Sequence, residues 1–218
     1  MNNSDMTPAI SIYMGRKAAT LIGEDGWHAA PFTTLIGASG GPKWLILSEL
    51  DRVLGPELLD KRHEPLTLLG SSIGTWRHAC LTLPKPAAAI QRLQHAYLYQ
   101  TYSCARPSPR EVSQVAEQML SAALGAEGAS SIIEHPRLHN AIVTARGRGI
   151  ARGQTGLSLG TSMAAATLAN AATRSGLSLF FERVAFCHRE IKALPFVQGF
   201  NTQTVPLTER NLVPALKA

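Results

Sequence analysis

The sequence has few cysteines and no long apolar run, and each shortage excludes a class of protein. Cys80, Cys104 and Cys187 are odd in number and widely spaced, which excludes a disulfide framework and the paired cysteines of a zinc site. No stretch approaches the roughly 18 consecutive apolar residues that a membrane-spanning helix needs, and the N-terminus shows no basic start followed by an apolar run. The sequence therefore predicts a cytoplasmic protein without a metal site, in contact with a membrane at most peripherally.

Charged residues are also sparse, at 17% of the chain against 45% hydrophobic residues, a balance typical of a folded globular domain. The formal charge of +6 favours anionic surfaces. The one basic cluster, residues 146–153, alternates arginine with glycine and contains no aromatic residue that would stack on bases. We interpret it as a solvated loop and expect no nucleic-acid partner. No repeat or linker divides the sequence, which predicts one domain over residues 1–218.

Aspartate is absent beyond residue 60. The aspartates are Asp5, Asp25, Asp51 and Asp60, and every later carboxylate side chain is a glutamate. A mechanism that needs an aspartate late in the chain is not completed by these residues. The only Asp-Gly pair, Asp25-Gly26, precedes the first predicted strand and is typical of a turn.

A strand, a glycine loop and a helix follow one another twice near the start of the chain. Residues 33–36 run into a loop at Gly37 and a periodic segment over 43–54, and residues 66–69 run into a second loop and a helix over 75–81. Two strands joined by a helix form a βαβ unit with parallel strands. Further strands are predicted at 139–145, 180–187 and 202–205, and further helices at 87–102, 109–126, 161–172 and 208–216. We expect an α/β fold of three layers, α/β/α, with a mainly parallel sheet.

The motif G-x-S-x-G occurs three times, centred on Ser39, Ser72 and Ser158. A nucleophilic serine on this motif needs a strand before it and a helix after it. Ser158 lacks the strand, so we interpret it as part of a loop. Ser72 has both, and Gly70 and Gly74 are the small residues on either side that let the tight turn close.

Ser72 is thus the candidate nucleophile, and the N–H of Ile73 is a candidate donor to an oxyanion. The alternative is a tight strand-to-helix turn in which Gly70 and Gly74 solve only a packing problem. The residues of this segment do not decide between the two.

The first glycine loop, Gly37 to Lys43, presents a run of backbone N–H groups with little side-chain obstruction, which suits an anion or an oxyanion. It lacks the G-K-[ST] ending of a P-loop and the G-x-G-x-x-G spacing of a dinucleotide fold, so a nucleotide is the less favoured ligand. An oxyanion loop one βαβ unit before the serine fits better.

Together, Gly40-Gly41-Pro42-Lys43 and Gly70-Ser71-Ser72-Ile73-Gly74 resemble the patatin-like phospholipase family, over roughly residues 33 to 80. The resemblance implies a serine-dependent lipid acyl hydrolase without a cofactor. It implies Ser72 as nucleophile, an aspartate as base without a histidine, and oxyanion or substrate contacts from Gly40, Gly41, Pro42, Lys43 and Ile73. The glycine loop is shorter than the triple glycine usual in the family.

The last residues, 206–218, resemble the helix that precedes the catalytic Asp-Gly motif in that family. We therefore expect a patatin-like domain that lacks its C-terminal part, with weak or no activity on its own. We also expect self-association into a homo-oligomer, because the missing elements would leave an edge or an apolar surface uncovered.

Two alternatives to the Ser-Asp hydrolase remain open. In the first, the chain is a catalytically inactive lipid- or partner-binding module. In the second, it is an α/β-hydrolase in which Ser72, Glu134 and His188 form a Ser-His-acid triad.

Overall fold

The structure, a computed structural model, describes residues 11–55, 59, 62–126, 128–149, 164–167, 171, 173–194 and 201–218. Within these residues the chain forms a five-stranded sheet in which the strands lie side by side in chain order. The strands are β1 (Thr34–Gly37), β2 (Leu66–Ser71), β3 (Leu138–Gly147), β4 (Phe181–Cys187) and β5 (Thr202–Pro206). Only the β3–β4 pairing is antiparallel. The predicted α/β class with a mainly parallel sheet is confirmed.

The longer helices of the described residues lie before β1, between β1 and β3, and after β5. They are α1 (Arg16–Asp25), α2 (Ser48–Leu54), α3 (Ile73–Leu81), α4 (Pro86–Leu98), α5 (Pro109–Leu124), α6 (Gly128–Ile133) and α7 (Glu209–Lys217). Short 3₁₀ helices span Gly41–Leu47 and Arg174–Leu179. No helix in the described part of the chain has the length and apolar character needed to cross a membrane.

Both glycine loops leave the sheet at the same edge. In the parallel pair β1–β2, Gly37 lies opposite Gly70, and in the pair β2–β3, Ser71 lies opposite Val143. We call this end of the sheet, where β1, β2 and β3 finish, the carboxyl edge. The prediction that the two loops follow neighbouring parallel strands is confirmed.

Helix α3 lies in the main core, on one face of the sheet. Its Ile73, Trp76 and Cys80 side chains belong to a buried cluster that also takes residues from α4, α5, α7 and β3. The indole N–H of Trp76 donates to the carbonyl of Leu216 in α7 at 2.7 Å. The second tryptophan, Trp44, is buried in the same cluster and packs edge-on against Tyr97. The helix that follows the candidate nucleophile is therefore held firmly from several sides.

The opposite face of the sheet carries a smaller cluster. Leu69, Ala141 and Ala185 are buried there beneath Ile191 and Leu194. At the β1 edge of this face Ile36 is 70% exposed. The side chains that cover this face therefore lie mainly over the central strands β2, β3 and β4.

The predicted elements agree with the structure, with three differences. Residues 41–47 begin as a 3₁₀ helix, and α1 and α6 were not predicted. The hydroxyl of Ser108 accepts from the N–H of Glu111 as the N-cap of α5, and Thr208 caps α7. Of the predicted helix 161–172, only residues 164–167 and 171 are described, and they are helical. The motif around Ser158 lies outside the described residues.

Candidate active site

Ser72 lies in the turn between β2 and α3 with a backbone that L-residues rarely adopt. Its φ is 51° and its ψ is −134°, and it is the one non-glycine residue with positive φ in the described part of the chain. The Ser72 side chain is exposed, and its hydroxyl does not cap the helix. Instead the backbone carbonyl of Ser72 accepts from the N–H of Thr75 at 2.9 Å and from its hydroxyl at 2.6 Å. The turn thus presents an exposed hydroxyl that does not cap α3, on a strained backbone anchored by Thr75.

Glycine is required at three positions around this turn because the backbone segments approach so closely. A Cβ on Gly70 would lie 3.0 Å from the backbone nitrogen of Thr75. A Cβ on Gly74 would overlap the carbonyl group of Gly37, and a Cβ on Gly37 would lie 2.8 Å from the carbonyl oxygen of Gly74. The first turn of α3 therefore packs directly on the end of β1, which places the first glycine loop beside Ser72.

A groove of about 410 Å³ opens beside the serine, and we call it the Ser72 groove. Ser39 lines it from the first glycine loop, and Ser71 and Ser72 line it from the second. Strand β3 contributes Val143 to Ala145, and β4 contributes Phe181, Glu182 and Arg183. Although several lining residues are polar, apolar atoms contribute most of the groove surface. The groove therefore suits an ester with a hydrocarbon body.

The predicted oxyanion residues are not among the described residues that line the Ser72 groove, although Ile73 and Gly40 adjoin Ser72 and Ser39, which do line it. Ile73 is the first residue of α3, where a backbone N–H has no partner within the helix. Gly40 is exposed and Gly41 is partly buried, both after the end of β1, and Ser39 is the residue of this loop that lines the groove. Pro42 has no N–H to donate.

The 3₁₀ helix begins at Gly41 and includes Lys43. The N–H of Lys43 donates to the carbonyl of Gly40 at 3.3 Å, and the side chain of Lys43 is exposed. This hydrogen bond closes the first turn of the 3₁₀ helix, for which Gly40 is the N-cap. Gly41 has a φ of 51°, a conformation that favours glycine.

A buried ion pair joins the two helices that follow the two glycine loops. Arg77 in α3 donates from Nε and Nη2 to the two carboxylate oxygens of Asp51 in α2, at 2.5 and 2.6 Å. The side chain of Asp51 is fully buried and that of Arg77 is 11% exposed. The pair links α2 to α3, and it commits Asp51 to a structural role.

His78 is the residue of α3 that follows Arg77, and its ring lies against the backbone of Gly37. Burial, with a smaller contribution from the positive charge of Arg77, lowers the pKa of His78 to about 3. Its Nδ1 has no hydrogen-bond partner in the described part of the structure. The ring is therefore neutral at pH 7 and acts as a packing element beneath the loop.

Glu182 is the acidic residue of the Ser72 groove, and the sequence did not single it out. Its side chain is 26% exposed, and its carboxylate lies 3.9 Å from Nη1 of Arg146 on the adjacent strand. Glu182 lies at the carboxyl edge because β4 runs antiparallel to β3 and therefore begins there. The strand over 180–187 was predicted, but its direction was not, and no local signal indicates it.

The proposed triad of Ser72, Glu134 and His188 is not brought together. His188 follows the far end of β4, where its N–H donates to the carbonyl of Asn140, and its Nε2 lies 2.8 Å from the carbonyl oxygen of Ile133. Its ring stacks on His139. Because β4 is antiparallel, it runs away from the carboxyl edge, and its last residue Cys187 pairs with Ala141, in the part of β3 that lies opposite Leu69 of β2. The triad prediction is wrong for this reason.

No cluster of three or more His, Cys, Asp or Glu side chains within the described ranges is arranged to hold a metal ion. Cys80 and Cys187 are buried, and burial raises the pKa of their thiols to about 12 and about 11.

Comparisons of the chain with protein-family models, with curated proteins and with solved structures find no match in any of the three. The resemblance to patatin-like phospholipases therefore rests on the two glycine motifs.

Proposed function

We propose that the protein is a serine-dependent acyl ester hydrolase acting on lipids, similar to the patatin-like phospholipases. The observation that carries this proposal is the backbone of Ser72. A serine held at positive φ, exposed between a parallel strand and a helix, with its hydroxyl not used as a cap, is the arrangement of a nucleophile elbow. A turn that solved only a packing problem would have no need of a strained non-glycine residue at its tip.

In the proposed reaction the Oγ of Ser72 attacks the acyl carbonyl carbon and its proton passes to a carboxylate. The tetrahedral oxyanion accepts from the N–H of Ile73 and from N–H groups of the Gly40-Gly41 loop. Collapse expels the alcohol, which takes the proton, and leaves an acyl ester on Ser72. Water then hydrolyses that ester and regenerates the serine.

The catalytic base of this proposal differs from the one that the resemblance implies. The family implies an aspartate, and no aspartate follows Ser72 in the sequence. Among the described residues, Glu182 is the carboxylate that lines the same groove. We therefore assign the proton from Ser72 to Glu182 in this chain.

The groove and its rim favour an ester with an apolar body and an anionic head. The lining is mainly apolar, Arg183 is part of it, and Arg146 lies beside Glu182 with 49% of its side chain exposed. The chain has a formal net charge of +6, and these arginines favour its peripheral contact with an anionic lipid surface. A cytoplasmic location agrees with three unpaired cysteines.

The finer description of the fold and assembly belongs to the same proposal. A three-layer, patatin-like arrangement is supported by helices on one face of the sheet and by Ile191 and Leu194 on the other. Self-association is supported by Ile46, Leu50 and Val53, which are exposed and recur at helical spacing. Light scattering on the Leu50→Glu variant measures it: a smaller particle than the unaltered chain supports self-association through this strip, and an unchanged one contradicts it.

The hydrolase proposal is tested by assaying the chain on a p-nitrophenyl acyl ester and on vesicles of phosphatidylglycerol. We expect ester cleavage that is lost in Ser72→Ala and kept in Ser71→Ala, a neighbouring serine of the same groove. Cleavage that survives Ser72→Ala would contradict the proposal. Vesicle binding without cleavage in the unaltered chain would favour the non-catalytic lipid-binding module instead.

A further inference from the structure

A second cavity lies at the amino-terminal ends of β1 and β2, where Leu35 and Leu66 line it. Its volume is about 220 Å³. We call it the Trp27 cavity, after the exposed tryptophan in its wall. Because β2 runs five residue steps from Leu66 to Ser71, roughly 17 Å at the usual rise per residue, the cavity is separate from the Ser72 groove.

Buried leucines form the inner wall of the Trp27 cavity, and aromatic rings form the outer wall. Leu59 and Leu66 belong to a small cluster of buried leucines, against which Leu35 packs. Trp27 and Phe32 line the cavity with their ring centroids 5.7 Å apart, and they are 58% and 39% exposed. Two large aromatic side chains are therefore partly in water beside an apolar cavity that they do not fill.

The charged residue of the cavity wall is bound to the backbone. The Arg62 guanidinium is buried and donates to three carbonyls, from Nε to Glu64 at 2.7 Å, from Nη1 to Ala29 at 2.5 Å and from Nη2 to Pro65 at 3.3 Å. Polar atoms contribute almost none of the cavity surface. A polar group that entered would lose its hydrogen bonds to water without gaining a partner, so the cavity disfavours polar and charged ligands.

The size and the surface of the Trp27 cavity together define the kind of ligand that fits. An apolar cavity of about 150 Å³ stays free of water and admits benzene, so this cavity is large enough for one aromatic ring or a short alkyl chain. A polypeptide segment is a poorer occupant, because its backbone N–H and C=O groups would find no partners there. A small neutral molecule without buried polar groups meets both conditions.

We propose that the Trp27 cavity binds a small neutral apolar molecule, built on one ring or a short alkyl chain. The ligand packs against the leucines of the inner wall and covers apolar surface of Trp27 and Phe32. The removal of this surface and of the ligand's own surface from water drives the binding. The proposal goes beyond the function proposed for Ser72 and does not depend on it.

Calorimetric titration of the full chain tests the chemical class of the ligand. The probes are p-xylene and n-pentane, each compared with the molecule of similar shape in which hydroxyls replace both terminal methyl groups, hydroquinone and 1,3-propanediol. We expect at least one hydrocarbon to bind with a Kd below about 1 mM, and its dihydroxy counterpart to bind at least about tenfold more weakly. Tighter binding of p-xylene identifies a ring as the preferred body, and tighter binding of n-pentane identifies a chain.

Two pairs of variants locate the binding. Leu35→Trp fills the cavity and is expected to abolish hydrocarbon binding, whereas Ile36→Trp, at the next residue of β1, is 70% exposed, lies outside the cavity lining and is expected to leave binding unchanged. Trp27→Ala removes part of the outer wall and is expected to weaken binding at least about tenfold, whereas Tyr13→Ala, at an exposed aromatic residue outside the lining, is expected to have no effect.

Circular dichroism shows whether each variant is folded, and Trp27→Ala decides the location if Leu35→Trp is not. Ser72→Ala is expected to bind the hydrocarbon with unchanged affinity. Four results would overturn the proposal: no binding of either hydrocarbon up to its solubility limit, equal affinity for a hydrocarbon and its dihydroxy counterpart, full affinity in a folded Leu35→Trp or Trp27→Ala chain, or binding that is lost in Ser72→Ala.

Discussion

The Cα of Gly74, in the first turn of α3, packs against the carbonyl group of Gly37 at the end of β1. A Cβ on either residue would meet the backbone of the other. This contact sets the distance between the two glycine loops, and it therefore sets where the candidate oxyanion donors lie relative to Ser72. The precision of the candidate site depends on a backbone contact that only glycine permits.

Gly74→Ala is expected to destabilise the fold by about 1–3 kcal/mol, because the new methyl group forces α3 away from β1. The same displacement is expected to reduce acylation of Ser72. Urea unfolding measures the first effect. Gly23→Ala is the control, since Gly23 lies in α1 with open space around it, and alanine there is expected to be neutral or slightly stabilising. Equal effects of the two substitutions would contradict the close-contact account.

The buried pair Asp51 and Arg77 gives a second prediction. Arg77→Met leaves the fully buried Asp51 carboxylate without its partner and is expected to cost about 3–5 kcal/mol in unfolding free energy. Adding Asp51→Leu to this variant is expected to recover much of that loss. The matched control is Arg52→Met, which breaks the exposed pair with Glu49 and is expected to cost less than about 1 kcal/mol. An Arg77→Met chain as stable as the Arg77→Met, Asp51→Leu chain would show that the unpaired Asp51 carboxylate costs little unfolding free energy.

The buried ring of His78 predicts a dependence of stability on pH. Burial lowers the pKa of His78 from 6.5 to about 3 in the folded chain. Between these values the unfolded chain binds more protons, so this contribution to stability is full above pH 6.5 and is lost as the pH falls towards 3.

The loss attributable to this residue is expected to reach about 1.4 kcal/mol per pH unit within that window. Urea midpoints at neutral and acidic pH measure it. His78→Leu is expected to flatten the slope, and His63→Leu, at an exposed position, serves as the control. A slope that His78→Leu leaves unaltered would rule out His78 as the source.

Much of the fold was predictable because its signals are local. The runs of β-branched and apolar residues and the two glycine loops act within a few residues, and each lies where it was predicted. The strand-to-helix turn at Ser72 was predictable for the same reason, since its signals lie within a few residues of the serine.

The remaining features depend on contacts between distant parts of the chain. Glu182 joins the groove only because β4 pairs antiparallel with β3, and no residue near 182 indicates that direction. His188 is excluded from the site by the same pairing. Arg62 lies in the sequence between charged or polar neighbours, a pattern typical of an exposed segment, yet tertiary contacts bury it.

Glu182→Gln tests the base assigned to this chain. Removing a general base is expected to lower kcat by about 10²–10⁴-fold while the fold is kept, because glutamine has nearly the same shape. Ester hydrolysis measured against pH is the readout. Glu117→Gln is the control. The carboxylate of Glu117, in α5, accepts from Nζ of Lys217, in α7, at 2.7 Å, and it is not part of the groove lining. A Glu182→Gln chain with unaltered kcat would remove Glu182 from the mechanism and leave Ser72 to another base.

The central claim is that Ser72 is an activated nucleophile, and the most direct test is the site of covalent labelling. The full chain is treated with a fluorophosphonate probe, and the modified residue is located by tandem mass spectrometry. The account predicts an adduct on Ser72 that forms faster than on any other serine, persists in Ser39→Ala and disappears in Ser72→Ala and in heat-unfolded protein. Labelling of another residue, or labelling of Ser72 only at the rate seen after unfolding, would contradict it.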